Sequence, residues 1–108
     1  MAPVVQVSAS VEAYERFLQA RRLIQGRTPD GMKAAGGLLD EALALDPDYA
    51  PAMASAALVK LLLADARGTY GVMPLTEAVA RARPLLDRAL SLDPQLADGY
   101  AVLGVLYQ

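Results

Sequence analysis

The chain has no cysteine and no histidine among its 108 residues. Disulfides and thiol chemistry are therefore closed to it, and a reducing, cytoplasmic setting fits. A catalytic triad of the Ser-His-Asp or Cys-His kind cannot be assembled. The usual zinc ligand sets fail for the same reason. Tryptophan is absent too, and the aromatic residues are five tyrosines and one phenylalanine. So few rings make a poor stacking platform for single-stranded nucleic acid. The formal net charge is -2. That leaves no broad basic surface for phosphates, so nucleic acid is not an expected partner. Long apolar runs are also missing. The stretch 50–66 is rich in alanine but broken by Pro51, Lys60 and Asp65. It falls short of the roughly 18 uncharged residues that a membrane span needs, so no membrane partner is expected. The first ten residues lack the basic start and apolar centre of a signal peptide.

What the chain does have is a repeated segment. Leu38–Pro47, LLDEALALDP, returns as Leu85–Pro94, LLDRALSLDP. Seven positions and the closing proline are identical, and 38–59 aligns with 85–106 without a gap. Recurrence inside so short a chain predicts a repeat architecture rather than one irregular core. Apolar residues make up 55% of the chain, enough to bury such a core.

Residues 1–10 carry Pro3, Val4, Val5 and Val7 and read as an extended N-terminal arm or linker ahead of a helical domain over 11–108. Ser10 is a fair N-cap with Glu12 in the first turn. Tyr14, Phe17, Leu18, Ala20, Leu23 and Ile24 then recur at helical spacing, predicting a helix over 11–26 ended by Gly26. Thr28-Pro29-Asp30 is a second start signal. Met32, Ala35, Leu39, Ala42 and Leu43 form its apolar stripe. Gly36 and Gly37 cost that helix roughly 1 kcal/mol each against alanine, and a close backbone approach between helices is the expected compensation. Asp46-Pro47 ends it, because the residue before a proline is pushed out of the helical region. A third helix from Asp48–Pro51 onward is apolar nearly all round and should be covered on several sides. After a break with Gly68 and Gly71, Pro74 opens a fourth helix. Pro84 inside it should kink or split it near 80–83. Ala97–Gln108 completes five helices with no sheet. Short connections make neighbouring helices antiparallel.

This arrangement resembles the tetratricopeptide repeat, a helix–turn–helix unit of roughly 34 residues. Tyr100-x-x-Leu103-Gly104-x-x-Tyr107 is similar to that family's first-helix pattern. Ala35, Leu39, Ala42 and Pro47, then Ala82, Leu86, Ala89 and Pro94, are similar to its second-helix pattern. The resemblance implies an all-α fragment of an α-solenoid with about two and a half repeats. It departs in length: Pro47 and Pro94 lie 47 residues apart, which implies an insertion of about 13 residues around Asp65–Thr76. Lys60 and Ala57 stand where the later copy has Tyr107 and Gly104. AYERFLQARRLI, RTPDG and YGVMP together look like repeats that follow bacterial signalling modules such as winged-helix regulators and nucleotide cyclases.

The resemblance implies a concave groove lined by first helices. Its ligand-facing positions would hold Phe17, Arg21 and Ile24, then Ala54, Leu58 and Leu61, then Ala101 and Val105. Only Arg21 among them is charged, so the groove suits a helix, an apolar peptide or another copy of the chain. Helix 97–108 lacks a following second helix, and each unit of a solenoid buries its apolar face on the next. Leu103, Leu106 and Tyr107 are thus the expected self-association residues of a homodimer. Arg16, Arg21, Arg22 and Arg27 form a basic cluster, read as a solvated face or as an anchor for an acidic partner. Asp46-Pro47-Asp48 is a helix stop and start rather than a metal loop, and no glycine pair has P-loop spacing. Tyr70 and Met73, in the insertion, read equally as contact residues or as a lid. No catalytic residue, metal or cofactor is expected. The expected function is a non-catalytic protein- or peptide-binding module, with a sensory repeat domain of a larger bacterial signalling protein as the alternative.

Overall fold

In the computed structural model, residues 10–65, 73–96 and 102 are described. The described residues form four helices: α1 Val11–Gly26, α2 Pro29–Leu45, α3 Ala50–Leu62 and α4 Leu75–Leu92. Two short strands, β1 Ala64–Asp65 and β2 Met73–Pro74, pair in parallel between α3 and α4. The fold class is all-α. The expected fifth helix falls at positions outside the described residues, apart from Val102, which is helical.

Local chemistry sets each boundary. The Ala13 N–H donates to Ser10 Oγ at 3.2 Å, and the Gly31 N–H donates to Thr28 Oγ1 at 2.9 Å. Each hydroxyl satisfies one of the donors that a helix start leaves unpaired. Pro29 occupies the first turn of α2, where its missing N–H costs nothing. α1 ends at Gly26, as the spacing predicts, but the left-handed cap is the next residue. Arg27 takes the left-handed conformation (φ 53°, ψ 49°), and its N–H donates to the Ile24 carbonyl at 3.2 Å. Gly26 remains helical, so the residue best suited to a left-handed cap sits one place too early.

The duplicated segment closes both α2 and α4 in the same way. Asp46 has φ -140° and ψ 88°, and Asp93 has φ -140° and ψ 89°. Their N–H groups donate to the carbonyls of Ala42 and Ala89 at 2.8 and 2.9 Å. Their own carbonyls then accept from Tyr49 and Leu96 at 3.2 and 3.1 Å. Ala35, Leu39 and Ala42 are buried, and so are Ala82, Leu86 and Ala89. Each residue of the first triplet lies 47 positions before its counterpart in the second. The sequence repeat is therefore a repeat of backbone geometry and of packing positions.

Two contacts show that α1 and α2 run antiparallel. Gly31 at the start of α2 lies against the Leu23 carbonyl near the end of α1. Arg16 in the first half of α1 bonds Glu41 near the end of α2. α3 and α4 pack in the same sense, with Arg88 late in α4 reaching Asp48 just before α3. α1 packs chiefly on α2, α3 on α4, and α2 joins the two hairpins through α3. One core cluster holds Phe17, Met32, Leu39, Tyr49 and Val59. Two others lie between α3 and α4, around Met53 and Ala89 and around Leu61 and Leu86. α3 contributes to all three. Every residue from Ala50 to Ala57 is buried, as its all-round apolar pattern requires.

Gly36 and Gly37, inside α2, are not the close contact expected of them. A Cβ on Gly36 would meet Val59 Cγ1 at 3.6 Å, an ordinary contact, and one on Gly37 would meet open space. The tight glycine is Gly31. Its Cβ would lie 2.7 Å from Thr28 Oγ1 and 3.3 Å from the Leu23 carbonyl oxygen. The same substitution should therefore act in opposite directions. Gly37→Ala should stabilise the fold by about 1 kcal/mol through helix propensity. Gly31→Ala should push Thr28 off its cap and cost about 1 kcal/mol or more. Urea midpoints of the two variants test this, and shifts of equal sign would contradict the assignment. α4 runs through Pro84 as one helix, Leu75–Leu92, so the split expected near 80–83 does not occur.

Candidate interaction surface

The surface that a partner could reach is built on α1 and on α3. On α1, the buried face consists of Ala13, Phe17, Ala20 and Ile24. Arg16, on one flank of that face, turns to α2, and its Nε donates to Glu41 Oε2 at 3.1 Å. The opposite flank carries Tyr14, Leu18 and Arg21, which fall at i, i+4 and i+7 and so share one side of the helix. All three are half-buried. On α3, Ser55, Leu58 and Leu62 likewise share a side. Leu58 and Leu62 are half-buried, and Ser55 is just buried. Tyr14, Leu18, Leu58 and Leu62 all pack against the first core cluster while keeping part of their surface in water. Leu58 also packs against the cluster between α3 and α4, so it stands where the two hairpins meet.

The α1 flank is tied to α3 through aromatic contacts. The rings of Phe17 and Tyr49 meet edge to face, with centroids 5.3 Å apart and planes at 77°. That arrangement sets the positive ring edge of one against the negative face of the other. The Arg21 guanidinium lies 5.7 Å from the centroid of Phe17, within reach of a cation–π attraction. The ring thus holds the one cation of this flank in place while leaving it partly exposed.

Tyr49 is the buried anchor beneath this surface, with 2% of its area exposed. Burial pushes its phenol well above the ordinary value; the neighbouring Tyr14 and the Asp46 carboxylate add to the rise, and Arg21 opposes it. The neutral phenol is thus favoured in the folded state. Below the ordinary phenol value of about 10 this stabilisation is whole, and it is lost as pH rises beyond it, because the unfolded chain ionises first. The slope attributable to one such group approaches about 1.4 kcal/mol per pH unit. Tyr49→Phe should flatten the loss of urea stability between pH 9 and pH 11 by that one-proton share. An unchanged slope would assign the alkaline sensitivity to other groups.

The structure sorts the residues expected to line a groove. Phe17, Ile24, Ala54 and Leu61 are buried and spent on packing between helices. Arg21 and Leu58 keep partial exposure. Ala101 and Val105 lie outside the described residues, as do the self-association residues Leu103, Leu106 and Tyr107, and Tyr70 of the insertion. The half-buried residues that the expectation missed are Tyr14, Leu18 and Leu62, which lie seven and three positions before Arg21 and four after Leu58. Their helical spacing from those two was the available signal. Of the basic cluster, Arg16 is paired with Glu41 and Arg21 sits on Phe17, while Arg22 and Arg27 are exposed. Among the described residues, no group of three or more Asp or Glu side chains could hold a metal ion. None of the described helices is long and apolar enough to cross a membrane. No protein-family model, curated protein or solved structure matches this chain.

Proposed function

We propose that the chain is a tetratricopeptide-like repeat module that acts by binding a protein segment, or a second copy of itself, and not by catalysis. The observation that carries this reading is the duplicated geometry. Two helices 47 residues apart share their buried triplet, their Asp-Pro stop and their cap dihedrals to within a degree. A repeat that reuses one packing unit gains an extended surface rather than a pocket. The half-buried stripe Tyr14, Leu18, Arg21, Leu58 and Leu62 is the part of that surface suited to an apolar helix or peptide, with Arg21 choosing acidic over basic sequences.

Selection from a random peptide library on the immobilised protein tests the reading. Apolar peptides with an acidic residue should be enriched. Their affinity should fall at least tenfold in Leu58→Glu and less in Arg21→Ala, with helicity retained in both. Light scattering over a range of concentrations reads self-association in the same samples. A monomer that enriches no peptide sensitive to Leu58→Glu overturns the proposal.

A further inference from the structure

The antiparallel helices sort the charged residues to opposite ends of the molecule. The end holding the Asp46–Tyr49 and Asp93–Leu96 turns carries Glu41, Asp46, Asp48, Asp87 and Asp93. The cations described there, Arg16 and Arg88, are engaged by Glu41 and Asp48. The other end holds the α1–α2 turn and the start of α4. Among the described residues it carries Arg22, Arg27, Lys33, Lys60 and Arg81 against Asp30, Asp65 and Glu77, and Glu77 pairs with Arg81 at 2.7 Å. The net charge of -2 thus conceals a polarised molecule.

Exposed apolar side chains follow the same division. Val11, Leu45 and Leu92 are at the acidic end, and Leu75 is at the basic end. Leu45 and Leu92 are counterparts in the repeat, 44% and 45% exposed. One ion pair joins the segments that carry them. Arg88 Nη2 donates to Asp48 Oδ1 at 2.7 Å, Leu92 stands one turn beyond Arg88 on the same face, and Leu45 lies just before the turn that holds Asp48. Exposed apolar side chains set among charged ones suit an interface.

We propose that this acidic end docks onto the basic end of a second copy, head to tail. Charge complementarity between the two ends names the occupant. A surface made of two different patches is heterologous, so the contact need not close into a dimer and can extend into open chains. The proposal uses the ends of the helices rather than the α1–α3 stripe, so it stands or falls separately from the peptide-binding reading.

The test uses light scattering on the full chain. At about 20 mM salt the average mass of the wild type should rise with concentration without a plateau at dimer. Salt at about 500 mM, where exposed charges are screened within a few ångströms, should weaken association at least tenfold. Asp48→Lys with Asp87→Lys should leave one copy with only a working basic end. Arg22→Glu with Lys33→Glu should leave the other with only a working acidic end. Each variant alone should be monomeric, with a circular dichroism spectrum like that of the wild type. An equimolar mixture should form a one-to-one heterodimer and nothing larger. A wild type that stays monomeric at low salt, association indifferent to salt, or a mixture that stays monomeric or exceeds a dimer overturns the proposal.

Discussion

Replacing Phe17 with alanine should remove a large share of the stability of the protein. The ring is fully buried in the largest core cluster. Truncating a buried phenylalanine costs about 3–5 kcal/mol, combining lost transfer energy with the cavity left behind. A domain of this size holds about 5–15 kcal/mol in all. Two further losses are specific to this site. Tyr49 forfeits its edge-to-face partner, and Arg21 forfeits the ring beneath its guanidinium. Phe17→Leu separates these from volume. It keeps an apolar side chain in the cluster and should cost only about 1–2 kcal/mol, of which the aromatic contact is about 0.5–1.5. Urea denaturation of the two variants gives both numbers. Equal costs for Leu and Ala would mean that the ring acts through its contacts and not its bulk.

Pro84→Ala should shift stability by about half as much, in the opposite direction. Pro84 is the tenth residue of the uninterrupted helix α4 and is exposed. It has no N–H for the Ala80 carbonyl, and its ring crowds that carbonyl. The usual penalty in a helix interior is about 3 kcal/mol, of which up to about 1 kcal/mol is offset because proline also restricts the unfolded chain. A gain of about 2 kcal/mol is expected, or roughly 8–16 °C in the melting temperature of a domain this small. Calorimetry reads it directly. A melting point that falls would mean that the proline is accommodated by a bend on which the packing of Ala82 and Leu86 depends.

The same two helices show what a sequence makes legible. The stripe Ala35, Leu39 and Ala42 and its copy could be read because apolar residues at helical spacing identify a buried face. The Asp-Pro stop could be read because steric exclusion before proline is local. That α4 would stay unsplit at Pro84 could not, because a helix pinned by Ala78, Ala82, Leu86 and Ala89 on its buried side outweighs one lost bond on its wet side. Arg27 shows a similar limit. Glycine is the usual left-handed cap, but the chain turns one residue later, where the Thr28-Pro29 start already fixes the next helix. For the surface, periodicity gives the direction of the buried face but not its width. Phe17 and Ile24 lie at its centre and Tyr14 and Arg21 at its margin, and only the position of Tyr49 and α3 decides which of them meets water.

The matched dihedrals of Asp46 and Asp93 have one more consequence. After each of these residues the chain leaves in the same posture, with the same bonds made behind it. On the repeat reading proposed above, the path between them is an interchangeable cassette. A chain with residues 47–93 copied in tandem would meet no new kind of junction, because the seam would join a stop and a start that the protein already joins. Growth by whole units is built into the turn itself, and lengthening the array is a matter of copying rather than of redesign.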